Sequence, residues 1–334
     1  MTAARRPLQI DHPDGTVVLT PLPERGPEWG RITVTMADPE IFSPLRELDT
    51  DQPDDLLRLI VKAKGPAYLC DELSREANPD YVERHLRHAI TGYVEPSRLK
   101  GSRILDFGSG AGASTMCLHR ITDAAEIVGI ELVDSFIDVA RRRAEVRGVS
   151  DRVKFLRSPE PGELPADVGT FDFVVMSANY EHLLPDERRE LMPLIWSVLR
   201  PGGVLFLNQT PHRWFPLESH TTGLPLINYL PDRVTSRAAR LSKRIPASDD
   251  WPTLLRKGIR GGSVTEVLAT LRGHGGEPTL LEPLDGDRVD LWLQISGGSR
   301  MRSVKQAMAA VIKAGHAMTG HYLLPDLTLA IRRG

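Results

Sequence analysis

The chain has 334 residues, with 42 Lys or Arg against 44 Asp or Glu, a net charge of −2, 41% hydrophobic and 26% charged side chains. That balance is ordinary for a folded protein and excludes wholesale disorder, and the near-neutral charge speaks against a protein whose main affinity comes from neutralising phosphates. No apolar run of about 18 residues occurs, so a transmembrane helix is excluded, and Met1–Pro7 is not followed by the apolar core of a secretory signal.

The expected setting is therefore the cytoplasm. Cys70 and Cys117 are too few for a disulfide framework or a Cys-based zinc site and read as buried small residues. The basic residues are 34 Arg and 8 Lys, a bias that carries no functional weight by itself. At roughly 150 residues per domain, the chain is too long for one bare catalytic domain.

Residues 1–60 read as loop-rich, with strands at Thr16–Thr20 and Arg31–Met36. Helical patterns follow at Asp55–Ala63 and at Pro79–Ile90, where Val82, Leu86 and Ile90 share a face at spacing four. From Gly101 strands and helices alternate. Strands are expected at Arg103–Phe107, Glu126–Glu131, Val153–Arg157, Phe171–Ser177 and Val204–Gln209. Helices are expected at Ser114–Arg120, Val133–Arg147 and Pro185–Leu199, an order that implies a parallel sheet with helices on both faces.

Residues 211–262 interrupt this rhythm and are too long for an ordinary connection. Helix Ser263–Leu271 and strand Thr279–Leu281 resume it, and a helix from about Ser303 to His316 precedes a last strand at Leu327–Ile331. The expected division is an N-terminal cap over 1–95, an α/β core over 96–210 and 263–334, a lid at 211–262 and a helical insertion at 285–324.

The strongest chemical signal is Ile104-Leu105-Asp106-Phe107-Gly108-Ser109-Gly110-Ala111-Gly112-Ala113-Ser114. An apolar strand ends at an acid, and a glycine-rich turn opens a helix, letting the backbone approach a ligand closely. The spacing is G-x-G-x-G rather than the G-x-G-x-x-G of dinucleotide folds, and Asp106 would repel a pyrophosphate while suiting an ammonium group. The next strand ends at Glu131, placed to accept both hydroxyls of a ribose.

These residues resemble the class I S-adenosylmethionine-dependent methyltransferases, in an ordered set of motifs from Leu99 to Gln209. Asp106, Gly108, Gly110 and Gly112 match the family's first motif, with Ser109 inside it, and Glu131 matches its ribose-binding acid, with Leu132 beside it. Phe171–Leu183, closing in Glu181-His182-Leu183, looks like the fourth-strand motif. Leu199-Arg200-Pro201-Gly202-Gly203-Val204-Leu205 matches the turn into the fifth strand.

The resemblance implies a Rossmann-like fold with a mostly parallel seven-stranded sheet, S-adenosylmethionine as cofactor and S-adenosylhomocysteine as product. It places Met176 and Ser177 at the amino-acid or sulfonium end. After the third strand relatives carry an Asp-Ala pair beside the adenine; here Arg157-Ser158-Pro159-Glu160 stands instead, and Ser158 or Glu160 is the replacement. Thr210-Pro211-His212-Arg213, running on to His220 and Leu224-Pro225, resembles a bacterial subset with Thr-Pro-Asn-Arg at this point.

In-line methyl transfer to a hydroxyl needs alignment and a base, and His is the natural base near neutral pH. The candidates are His220, His182 and His212. Arg213, Trp214, Glu218 and Tyr180 are candidate acceptor contacts. Glu181, His182, Glu218 and His220 together could hold Mg²⁺ beside the acceptor. Metal-binding relatives have a further carboxylate where Ala178 stands here, so no metal is expected.

The stretch Arg233–Arg260 holds eight Lys or Arg against Asp249 and Asp250 and reads as a solvated amphipathic helix burying Val234, Ala238 and Leu241. Arg141–Arg143 read as the outer face of their helix.

The expected function is methylation of a small-molecule hydroxyl, of a sugar or natural product. The alternatives are a tRNA, rRNA or lipid methyltransferase using the basic stretch, and a non-catalytic cofactor binder. Nucleic acid and membrane partners are not favoured, and a homodimer is left open.

Overall fold

The computed structural model describes residues 4–160, 163–246, 248–297 and 302–334. Residues 298–301 of the expected helical insertion thus lie outside the described residues. In chain order the strands β1 to β4 are Leu8–His12, Gly15–Pro21, Gly30–Met36 and Glu47–Thr50. Helices α1 to α4 follow at Asp54–Lys64, Leu69–Ala77, Arg84–Thr91 and Pro96–Leu99.

The alternating part runs β5 Arg103–Phe107, α5 Ala113–Thr122, β6 Glu126–Glu131, α6 Asp134–Val146 and β7 Val153–Arg157. It continues with β8 Phe171–Ser177, α7 Pro185–Ser197 and β9 Leu199–Pro211. Then come β10 Leu217–Glu218, β11 Leu224–Pro225, α8 Asp232–Ala239, α9 Trp251–Arg256 and α10 Val264–Leu271. The chain ends with β12 Pro278–Leu280, α11 Arg288–Ile295, α12 Arg302–Thr319 and β13 Asp326–Arg333.

Strands β5 to β9, β12 and β13 form a seven-stranded sheet in the order β12-β13-β9-β8-β5-β6-β7. β13 runs antiparallel to β9 and β12, whereas β8 is parallel to both β5 and β9 and β6 is parallel to β7. This is the mostly parallel, helix-flanked sheet expected from the alternation.

The chain clusters into two compact units. The first comprises Met1–Arg84, Ser109–Ile121 and Glu126–Arg157. Its β1 to β4 make an antiparallel sheet, and β3 shows why: Ile32, Val34 and Met36 alternate inward while Arg31, Thr33 and Thr35 face water. With Val17, Leu19, Leu56, Leu57, Ile60, Leu69 and Cys70 they form one core. A second core joins Met116, Ile137, Ala140, Ala144, Val153 and Phe155.

Both cysteines are fully buried, which pushes the thiol of Cys70 up to about 12 and that of Cys117 to about 11. Both pack as small buried residues, as expected.

Arg143 corrects the expected outer face of α6. Its side chain is 0% exposed, and its Nη2 donates to the Glu72 carboxylate at 3.0 Å and the Glu72 carbonyl at 3.1 Å. Its Nη1 donates to Glu76, which also accepts from Arg147 at 2.6 Å. Burial works against the Glu76 charge, yet the two arginines prevail and hold its carboxyl below the ordinary range.

Removing the central cation leaves two acids buried without it. Arg143→Ala is therefore expected to cost about 3–5 kcal/mol of folding stability, read from the shift of a urea midpoint. Loss under about 1 kcal/mol would contradict it, being the size expected of an exposed pair.

The second unit comprises His85–Gly108, Thr122–Ala125 and Ser158–Gly334. Here α8 also differs from expectation. It buries Thr235 and Ala239, while Val234 is exposed and Leu241 lies beyond the helix end, 79% exposed. The Thr235 hydroxyl fixes this register by donating to the Leu230 carbonyl at 3.0 Å.

Candidate active site

The first motif is built as a close-fitting turn. In the second unit β5 carries Asp106, 1% exposed, to its end. Gly108 follows at φ 71°, and a Cβ there would come within 2.6 Å of the Asn179 amide. Asn179 donates Nδ2 to the carbonyls of Phe107 (2.8 Å), Gly108 (3.2 Å) and Ser177 (3.0 Å). It ties the β5 turn to the end of β8, a role its position in the fourth-strand motif did not announce.

In the first unit Gly112 has φ 84°, and a Cβ there would strike Ala140 at 2.8 Å, so only glycine lets α5 begin this close to α6. Glu131 at the end of β6 accepts from the Gly110 amide at 2.9 Å through Oε2. Its Oε1 accepts from the amides of Leu132 (2.7 Å) and Val133 (3.1 Å). The acid and the glycine turn are thus tied together through the Gly110 amide.

The C-terminal ends of β8 and β9 are strained in the same place. Ala178 and Gln209 hold φ of 53° and 60°, a left-handed backbone rare in side-chain-bearing residues and characteristic of functional corners. Gln209 Oε1 accepts from the Ser177 hydroxyl at 3.3 Å, and its Nε2 lies 2.6 Å from Nδ1 of His85 on α3. Neither Gln209 nor His85 was a sequence candidate; nothing in their spacing links them. Met176 is buried at the end of β8, whereas Ser158 spends its hydroxyl on the carbonyls of Glu160 and Glu163.

Beyond β8, a one-turn 3₁₀ helix, Tyr180–His182, packs against residues of 211–262. Glu181 has a side chain 0% exposed, its Oε2 accepting from the Thr210 hydroxyl at 3.1 Å. Its Oε1 lies 3.7 Å from Nε2 of His182. Burial raises the Glu181 carboxyl above its ordinary range. His182 places Nδ1 2.7 Å from the Arg256 carbonyl. A carbonyl only accepts, so Nδ1 bears the proton and Nε2 of the neutral ring presents a lone pair.

The ring of His220 stands 5.6 Å from that of His182. Burial lowers the His220 pKa, helped by His182 and opposed by Glu218. Two of the three candidate histidines are therefore together, beside a buried acid.

The third, His212, leaves β9 at 7% exposure and burial takes its pKa down to about 4, so it is neutral. Glu218 is not turned to a ligand. Its carboxylate accepts from the amides of His220 (3.0 Å), Thr221 (2.8 Å) and Thr222 (2.5 Å) and from the Thr222 hydroxyl (2.6 Å). It fixes the turn that carries His220. Tyr180 is fully buried under the Arg188 guanidinium, 4.4 Å from the ring centre.

His212 and Trp214 border a cavity of about 610 Å³, shared with Arg288, His316, Tyr322 and Asp326. Trp214 is 45% exposed and stacks on Tyr229 at 6.2 Å, while Arg213 donates to the Asn228 carbonyl. Burial raises the Asp326 carboxyl to about 6, with Lys305 opposing.

A carboxyl whose folded pKa lies above its unfolded value contributes stability below about pH 4 and loses it as pH rises through 6. Asp326→Asn is accordingly expected to stabilise the protein at pH 8 by about 1–3 kcal/mol and to change little at pH 4. Urea unfolding at the two pH values checks this; equal effects at both would refute it.

The sheet order, the acid–glycine turn and the acid closing the next strand define the class of Rossmann-like α/β methyltransferases. A family model described as a methyltransferase domain matches residues 104–203. The chain is similar to the erythromycin 3''-O-methyltransferase of Saccharopolyspora erythraea, 28% identical over 241 residues, 70% of this chain and 72% of that protein. It is also similar to a ribosomal protein L11 methyltransferase of Photobacterium profundum, 32% identical over 117 residues, 35% of this chain and 36% of that protein.

A solved structure of a putative sarcosine dimethylglycine methyltransferase from Galdieria sulphuraria aligns with a TM-score of 0.41 at 15% identity, over 71% of this chain and 78% of that one. The chain is a class I S-adenosylmethionine-dependent methyltransferase, with S-adenosylmethionine as its cofactor. Among the described residues no helix is long and apolar enough to cross a membrane.

Proposed function

We propose that the enzyme transfers the methyl group to a hydroxyl oxygen of a small-molecule acceptor, with His220 as the general base. The carrying observation is the pair of histidines beside buried Glu181, with burial lowering the His220 pKa and so favouring its lone pair. As the acceptor oxygen bonds to the methyl carbon, the carbon–sulfur bond breaks and leaves S-adenosylhomocysteine. The hydroxyl proton passes to His220, and the Glu218 charge favours the imidazolium. The name of the Saccharopolyspora relative places its methyl on oxygen, which supports the same atom here.

Asp106 is proposed to bind the cofactor's ammonium and Glu131 its ribose hydroxyls. Gly108, Ser109, Gly110 and Gly112, with Leu132, Met176 and Ser177, would line the rest. Residues 211–262 are proposed as the acceptor-binding lid, with Trp214 and Arg213 at its entrance.

The basic stretch Arg233–Arg260 does not support a nucleic-acid acceptor, because four of its eight Lys or Arg are spent internally. Arg256 pairs with Glu187, Lys257 with Asp249 and Arg260 with Asp232, and Arg244 donates to the Ser219 carbonyl.

The test is turnover of deuteromethyl-labelled cofactor with a panel of glycosides, phenols, alcohols and amines, followed by mass spectrometry and NMR of the products. Label on oxygen is the expected result. Label on nitrogen or carbon, or turnover confined to RNA or ribosomal protein, would overturn the proposal.

A further inference from the structure

The cluster on the 3₁₀ turn carries more than a base needs. Three electron-rich atoms, one each from Glu181, His182 and His220, lie within 4.8 Å of one another. Glu181 Oε1 is wholly buried and has no hydrogen-bond donor. Nε2 of His182, 3.7 Å away, offers a lone pair because Nδ1 is committed to the Arg256 carbonyl. Two lone-pair atoms facing each other are satisfied by a shared proton or by a cation among them, and a cation serves both atoms and the His220 ring together.

Gly258 keeps that space open. It sits at φ 88°, and a Cβ there would come within 3.0 Å of Nε2 of His220 and 3.2 Å of Cγ of Glu181. The Thr210 hydroxyl on Oε2 and the Arg256 carbonyl on Nδ1 are the outer hydrogen bonds that orient metal ligands: one fixes the carboxylate, the other the ring's tautomer.

We propose that Glu181 Oε1, His182 Nε2 and the His220 ring bind one divalent transition-metal ion of the Zn²⁺ class. Two imidazoles and one carboxylate suit Zn²⁺, Co²⁺ or Ni²⁺, whereas Mg²⁺ and Ca²⁺ prefer an all-oxygen set. Bonds of about 2.0–2.1 Å in a tetrahedron put ligand atoms about 3.4 Å apart, so the cluster closes by small side-chain rotations. Three protein ligands leave the fourth position open to a solute oxygen.

This differs from the ligand set expected from sequence, because Glu218 is spent on its own turn. The missing carboxylate at Ala178 is no obstacle, since three ligands already converge. The ion is not required for methyl transfer: it would occupy the lone pair that the proposed base uses.

The test is titration of the chelator-treated full chain with Co²⁺, followed by visible spectroscopy, and with Zn²⁺ in a calorimeter. One ion per chain with the intense visible bands of low-coordinate cobalt, displaced by Zn²⁺, is expected. His182→Ala and His220→Ala should each weaken binding at least about a hundredfold, since even outer-shell losses cost ten- to a hundredfold. His274→Ala, at an exposed site elsewhere, should leave it unchanged.

Absent cobalt bands, or affinity equal in wild type and both cluster variants, would overturn the site. Methyl transfer by the chelated wild type is assayed separately: retained activity is expected, and its loss would count against His220 as base while leaving the binding result to stand alone.

Discussion

Replacing Asp106 by Ala is expected to weaken S-adenosylmethionine binding at least about a hundredfold in isothermal titration calorimetry, about 3 kcal/mol, because the proposed pair of its carboxylate with the cofactor's ammonium would lose one partner. Asp106 is 1% exposed at the end of β5, so its charge is poorly screened by water and acts strongly on a bound ammonium. Asp106→Asn should fall between the two, keeping a hydrogen-bond acceptor without the charge.

Glu131→Ala should also weaken binding, through the ribose. It releases in addition the amides of Gly110, Leu132 and Val133 that the carboxylate now holds. Part of its effect will therefore be a loosened turn, which a lower melting temperature of the cofactor-free protein would register. Asp106→Ala is the cleaner test. A dissociation constant within about threefold of wild type, under 1 kcal/mol, would remove Asp106 from the cofactor site.

That these two acids could be chosen from sequence follows from how parallel strands are written. β5, β6 and β8 are short, mostly buried apolar runs with a polar residue, Asp106, Glu131 or Ser177, at or next to the last position, and their limits, like those of the edge strand β7, coincide with the expected ones. β1 and β4 escaped because they are edge strands. Gln9, Asp11, Glu47 and Asp49 blunt them against pairing and erase the apolar signal.

Arg143 was misread because a charged residue is assigned to water by default. Its acids, Glu72 and Glu76, lie 71 and 67 residues earlier, beyond any periodicity of α6. The candidate site divides the same way. The glycine turn and Glu181-His182 are local patterns, readable in one window. His220, Gly258, Gln209 and His85 reach their places by tertiary packing, so a list of histidines could rank them but not pair them.

The pairing makes the second large prediction specific. If His220 removes the acceptor proton, His220→Ala should lower kcat by about 10²–10⁴-fold, the usual contribution of a positioned base. The cofactor's dissociation constant should stay unchanged. The sign of the pH dependence follows from burial. His220 is lowered below the ordinary histidine value of 6.5, so its lone pair persists to lower pH than that of a free imidazole.

The wild-type rate should therefore stay level down to below pH 6.5 and fall only as pH drops further, through the lowered pKa. This limb should vanish in His220→Ala, whose residual rate depends on hydroxide or buffer, and added imidazole should restore part of it. His182→Ala should act less on the rate and shift the limb upward in pH, since His182 helps to lower the His220 pKa. A His220→Ala enzyme that kept more than a tenth of the wild-type kcat, or an unchanged acid limb, would assign the proton to another group. His212, already neutral above about pH 4, would be the next to test.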